Sequence, residues 1–184
     1  MKKYIYLFFI LSTLTACYQT QILTYNMQSN FDFDQAERLM KNGKNTIIGN
    51  AFLRQNGGGI VTCAGSEVTL IPATEYAKER LRRLYSGINK GYNPIVLKGF
   101  LQYGPLMQYN FIPTPNRYKE LMKNTVCDST GHFKFNNITD GEFFIITSVV
   151  WKVPSQNGLV PNGGSLMQRV VLQKGETKEI IMNH

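Results

Sequence analysis

The run Phe143-Phe144-Ile145-Ile146-Thr147-Ser148-Val149-Val150 constrains the fold of this chain more than any other stretch. It is almost wholly apolar, so it predicts a central strand buried on both faces. Just before it, Phe133 and Phe135 alternate with Lys134, and Asn136 to Gly141 reads as a turn region. Further short strands are expected at 46–54, 60–63 and 67–71. Met167 to Leu172 and Glu179 to Met182 read as a terminal hairpin around Lys174-Gly175-Glu176, and Pro154 to Gly164 as a loop. Short strands separated by turn signals indicate a sandwich. Asn56-Gly57-Gly58-Gly59 is the turn between two of them. A glycine triplet can cradle phosphate, but no P-loop or dinucleotide spacing surrounds this one.

Two helices interrupt the β pattern. Asp32 is placed to cap a short one, with Gln35 three residues on and Asn42-Gly43 as its stop. Thr74 caps a second, Glu75 to Ser86, with Gly87 beyond its end. Ala77, Leu81, Leu84 and Tyr85 share one face of it. Lys78, Arg80, Arg82 and Arg83 occupy the others, and Glu79 and Arg83 form an i,i+4 pair. That basic face is an ordinary solvated surface or a contact for anionic lipid or glycan. Residues 87–123 are rich in Gly, Pro, Asn and aromatics, and long connections are often functional. Tyr92, Tyr103 and Tyr109 are its candidate binding residues, with Arg82 and Arg83 beside them. The competing reading is that these aromatics pack the insertion onto the core.

The N-terminus speaks of location. Lys2 and Lys3 precede an apolar run, Tyr4 to Leu14, of about eleven residues, whereas a spanning helix needs roughly 20. Leu14-Thr15-Ala16-Cys17 resembles the lipobox of bacterial lipoproteins. The resemblance implies that residues 1–16 are a cleaved signal peptide and that Cys17 becomes the N-terminus and carries lipid, palmitate included. An ordinary cleavage site and a retained anchor helix are the competing readings. Tyr18 stands where an inner-membrane retention aspartate would, which resembles the outer-membrane default with the domain facing the periplasm. Residues 17–31 read as lipid anchor and tether, 32–45 as the short helix, and 46–184 as a sandwich with an insertion at 73–123.

With Cys17 committed to lipid, Cys63 and Cys127 remain. An even pair in an oxidising compartment points to one disulfide. Two buried free thiols or a metal site compete with it, although the chain has only His132 and the terminal His184 to complete a metal set. The 20 basic side chains less Lys2 and Lys3 leave 18 against 12 acidic ones, a mature charge of +6. Export argues against nucleic acid and for anionic envelope partners, with a plain solvated surface as the alternative.

Several strands carry a second resemblance. Ile48-Gly49-Asn50-Ala51, Gly65-Ser66-Glu67-Val68-Thr69-Leu70-Ile71-Pro72, Cys127-Asp128-Ser129-Thr130-Gly131-His132-Phe133-Lys134-Phe135 and Ile138 with Gly141-Glu142-Phe143-Phe144-Ile145 are similar to the carboxypeptidase regulatory-like domain. That family implies a transthyretin-like, Ig-like sandwich of seven strands, here with one inserted α-helix and a short N-terminal helix. Phe133, Phe135 and Ile138 would fill the space between the sheets. The inserted helix, the 87–123 stretch and the cysteine pair depart from the family pattern. Such domains are structural or binding modules rather than catalysts.

The function expected is therefore a non-catalytic envelope lipoprotein, held at the membrane by Cys17, that binds an envelope protein or glycan without cofactor, metal or nucleic acid. A periplasmic hydrolase is the alternative, as is an accessory or inhibitor subunit of an envelope machine. A hydrolase would need a base near a nucleophile. His132 is the one internal histidine and falls on the expected solvent face, while Asp128 and Asp140 flank turns.

Overall fold

The structure is a computed structural model and describes residues 22–184 apart from 100, 101 and 157. The expected signal peptide and lipid-bearing Cys17 lie outside the described residues. The first half runs β1 (Leu23–Asn26), α1 (Phe33–Met40), β2 (Asn42–Arg54), β3 (Ile60–Thr62), β4 (Glu67–Pro72), α2 (Glu75–Tyr85) and β5 (Lys90–Gly99). Then come β6 (Gln102–Pro105), β7 (Tyr109–Ile112), a 3-10 turn at Asn116–Tyr118, β8 (Lys123–Val126), β9 (His132–Ile138), β10 (Gly141–Ser155), β11 (Gly158–Leu172) and β12 (Thr177–Met182). The chain is mainly β, and its two larger sheets face each other as a sandwich.

One sheet has the order β6-β5-β11-β10-β4-β8, and the other is built on β2, flanked by β12, β9 and β3. Between them lies the main core. Ile47, Leu70, Phe143, Ile145 and Leu172 in it are 0–1% exposed. Phe133 and Phe135 also fill this space, as their alternation with Lys134 predicts, and Ile138 joins them after the irregular Asn137 (φ 57). Burying each such side chain stabilises the fold by about 1.5–3 kcal/mol. Gly49 of β2 lets the Phe133 ring lie flat against the backbone; a Cβ there would sit 2.1 Å from the ring.

The six-stranded sheet is covered on its outer face as well. There Phe144 and Met167 pack under Tyr76, Ala77, Leu81 and Tyr85 of α2. This third layer covers the run only through Phe144 and Ile146; Ser148 and Val150 on the same face are exposed, so the strand is not buried on both faces to its end as expected. Phe143 and Ile145 point between the sheets, and Phe144 points at the helix. Thr74 caps α2, its hydroxyl accepting the Ala77 N–H at 3.2 Å. The left-handed residue at its end is Ser86 (φ 53), not Gly87. Asp32 caps α1 by accepting the Gln35 N–H at 2.8 Å.

Several expectations are corrected. The structure has twelve strands among the described residues, not seven. Residues 154–164 are not a loop. They extend the β10–β11 ladder to Ser155↔Gly158. β11 and β12 form no hairpin, because β12 crosses to the other sheet and pairs parallel to β2. β2 begins at Asn42, not at Thr46. Residues 87–123 do not form a separate appendage, since β5 pairs with β11 inside the sheet. Residues 22–31, expected as tether, are part of the folded body. β1 pairs parallel to β7, and Met27 and Phe31 pack against the outer core.

Cys63 and Cys127 are joined as a disulfide with Cα atoms 5.8 Å apart. They are 0% and 3% exposed. Backbone bonds Gly65 N to Cys127 O and Cys127 N to Ser66 O, both 3.0 Å, flank the bridge.

Candidate functional site

The β10–β11 hairpin is 15 residues on each arm, whereas β2 opposite it ends at Arg54. Side chains of β10 alternate inward through Phe143, Ile145, Thr147 and Val149. The same parity carries Trp151 and Val153 inward, beyond the end of β2. There the space between the sheets opens to solvent as a trough of about 460 Å³. Trp151 and Val153 form its floor with Leu53. Arg54, Gln55, Asn56 and Gly57 form one rim, and Asn162, which pairs with Trp151 across the ladder, forms another.

Tyr92 and His184 close the trough. Their rings stack at 4.5 Å with an interplanar angle of 22°. Tyr92 sits opposite Leu166 on the inner face of the sheet. Beyond this stack lies a second depression of about 460 Å³, lined by Tyr85, Lys90, Gly91, Asn183 and the same two rings. Burial raises both tyrosine hydroxyl pKa values above the ordinary one, and for Tyr85 a bond to Ser165 Oγ at 3.1 Å works against that rise. Lys90 Nζ donates to Asn183 Oδ1.

Two glycines shape the site. A Cβ on Gly163 (φ 97) would lie 2.1 Å from the Val149 carbonyl and 2.8 Å from the Trp151 ring. A Cβ on Gly91 would lie 2.4 Å from Tyr85 Cβ. Backbone here comes close to the aromatic rings, so their faces stay in fixed positions. The trough thus offers aromatic platforms ringed by amide donors and acceptors and two cations. Its described lining contains no serine, cysteine, aspartate or glutamate.

Of the residues singled out from sequence, Tyr92 is in this site. Tyr103 instead lines a smaller depression of about 390 Å³ with Ile22, Lys98 and Gln108. Tyr109 packs edge-on against Tyr25 at 6.2 Å and lies 5.7 Å from Phe111. The three tyrosines do not share a surface. Arg83 lies 4.4 Å over the Tyr25 ring and donates to its hydroxyl at 3.2 Å, while Arg82 is exposed. Glu79 does not pair with Arg83. Its carboxylate accepts Tyr25 OH and the Gln28 and Ser29 N–H groups. Sequence reasoning passed over Trp151, Asn162 and the 54–57 rim. The available signal was the lone tryptophan at inward parity just past Val149.

His132 is exposed as expected. Its Nδ1 lies 2.8 Å from Thr130 Oγ1, which donates to Asp128 Oδ1. Hydrogen bonds from Thr130 and His132 hold Asp128 below the ordinary carboxylate pKa. The bonds are local to one turn. The open cleft beside His132 includes Glu179 and Asn50 but no serine among its described lining. Asp140 accepts Asn45 Nδ2 at 2.9 Å. Among the described residues, no three of His, Cys, Asp and Glu gather as a metal set.

No protein-family model matches the chain, and no curated protein matches it. Among solved structures it is similar to a Pseudomonas aeruginosa protein described as a candidate carbohydrate binding protein. The two superpose with a TM-score of 0.66 at 19% identity, over 85% of this chain and 99% of that one. At that identity the likeness concerns the fold.

Proposed function

We propose that this protein is a non-catalytic envelope lipoprotein, lipid-anchored at Cys17 on the periplasmic side of the outer membrane, that binds a carbohydrate in the Trp151 trough. The observation that carries the reading is the solvent-open platform of Trp151 and Tyr92, ringed by Gln55, Asn56 and Asn162. Sugar rings present faces of C–H groups, whose positive edges suit the negative face of an aromatic ring. Their hydroxyls take paired bonds from side-chain amides, which both donate and accept. A concave, partly apolar site with a few polar groups is the usual form of a small-ligand site. The carbohydrate-binding description of the P. aeruginosa protein of like fold supports the same choice. A transthyretin-like ancestry of the sandwich belongs to this proposal too.

Binding rather than hydrolysis fits the lining. Glycoside cleavage asks for two carboxyl groups flanking the bond, and covalent catalysis for a nucleophile with its base. Neither is present in the described lining.

Trp151 is the chain's one tryptophan, so its fluorescence reports on this site alone. Titrating the mature protein with oligosaccharides released from the bacterial envelope should quench or shift that emission saturably. Trp151→Ala should abolish binding, followed by calorimetry, with circular dichroism checking that the variant keeps the native fold. Undiminished glycan binding by that variant would reject the site. Mass spectrometry of the mature chain tests the anchor separately, through the acyl mass expected on Cys17.

A further inference from the structure

The residues that build the two depressions come from the end of β2 with its turn, the end of α2, β5, the β10–β11 hairpin, and residues 183 and 184 after β12. The chain has 12 acidic side chains, yet residues 38–66, 80–119 and 143–175 contain none of them. The acids lie elsewhere, and several are already engaged. Glu79 holds the N-terminal segment. Glu142 sits between Lys78 and Arg169, and Glu37 meets Arg117. Asp128 and Asp140 accept bonds in turns. The trough is therefore left with cations and no side-chain carboxylate.

Those cations stand at its two parts. Arg54 lines the first depression, and Lys90 lines the second, with the Tyr92–His184 stack between them. Lys90 donates to a neutral amide, Asn183, so no carboxylate neutralises it there. Cationic side chains in a cleft concentrate ligands of the opposite sign near them. The guanidinium of Arg54 offers a planar fork that matches a carboxylate.

Resting on the carbohydrate reading of this site, we infer that its ligand is an acidic saccharide, a chain of sugar rings bearing carboxylates. One ring stacks on Trp151 with its carboxylate toward Arg54. A following ring passes the Tyr92–His184 stack and brings its carboxylate toward Lys90. The amides of Gln55, Asn56 and Asn162 take the hydroxyls.

The test uses the full mature protein in detergent and reads Trp151 fluorescence. The probes are hexamers of galacturonate and of glucuronate, the same hexamers with every carboxyl reduced to an alcohol, and inorganic polyphosphate of equal charge. At least one acidic hexamer should bind about tenfold or more tighter than its reduced form at low salt, and this gap should narrow toward 1 M salt, where screening falls to about 3 Å. Arg54→Gln and Lys90→Gln should each weaken the acidic hexamer severalfold and leave the reduced one unchanged. Equal affinity for acidic and reduced forms overturns the inference while sparing the carbohydrate reading. Equal binding of polyphosphate overturns it as mere charge attraction. Failure of every hexamer overturns both.

Discussion

Glu79 and Tyr25 are 54 positions apart in the chain, and the Glu79 carboxylate accepts the Tyr25 hydroxyl at 3.0 Å. The same carboxylate takes the N–H groups of Gln28 at 2.9 Å and Ser29 at 2.8 Å. One helix side chain thereby pins the segment that follows β1. Arg83, one turn on, covers the other side of the Tyr25 ring.

This pin has a pH signature. Burial raises the Glu79 pKa, but the bonds from Gln28, Ser29 and Tyr25 outweigh that and lower it to about 2. A depressed carboxylate contributes stability above its unfolded pKa and loses it as pH falls through the folded one. Glu79→Gln should therefore be destabilising at pH 6, and the gap to the native protein should close between about pH 4.5 and about pH 2. Urea unfolding across that range measures it. A gap that stays constant with pH would show that the carboxylate charge is irrelevant.

The Cys63–Cys127 bridge spans 64 positions. A loop of that length contributes about 4 kcal/mol in the chain-entropy model. The paired variant Cys63→Ala with Cys127→Ala should lose stability of that order in urea titration.

Gly163→Ala should disturb the trough. The new methyl meets the Val149 carbonyl and the Trp151 ring at a positive φ. We expect a loss of about 1–3 kcal/mol, from strain and overpacking together, and a shifted Trp151 emission maximum. A variant with native stability and emission would show that the backbone does not constrain this ring.

Arg80 lies 4.2 Å above the Phe111 ring and 4.9 Å from the Tyr118 ring. Replacing it with methionine should cost about 0.5–2 kcal/mol, since partly desolvated cation–π contacts fall in that range. Arg82→Met, at an exposed position of the same helix, should change stability by less than about 0.5 kcal/mol. Thermal melts of the two variants side by side decide the matter.

How much of this was legible in the residues varies by kind. Asp32 and Thr74 were readable as helix caps because a cap is made within four residues. The alternation at Phe133 and Phe135 was readable because a strand's period of two is local. The β10–β11 tip was misread as loop because Pro154, Asn162 and Gly164 carry turn composition, yet the ladder simply continues through them. Glu79 was misassigned to Arg83 for a similar reason. Spacing of four on a helix allows that pair, but three donors from a distant segment compete for the carboxylate and win. The tyrosines of 87–123 looked like one surface because they are near in sequence. Strand pairing then sent Tyr92 inward and Tyr109 to the separate β1–β7 pair.

By itself the chain determined its strand-rich class and its two helix caps, for each depends on neighbours in sequence. Tertiary structure alone decided that β12 crosses to the second sheet, that residues 22–31 fold back onto α2, and that β10 outruns β2 far enough to leave Trp151 uncovered. Those outcomes depend on where strands from distant parts of the chain end relative to one another. No local pattern records that difference in length, and it is what turns the end of a hydrophobic core into an open trough.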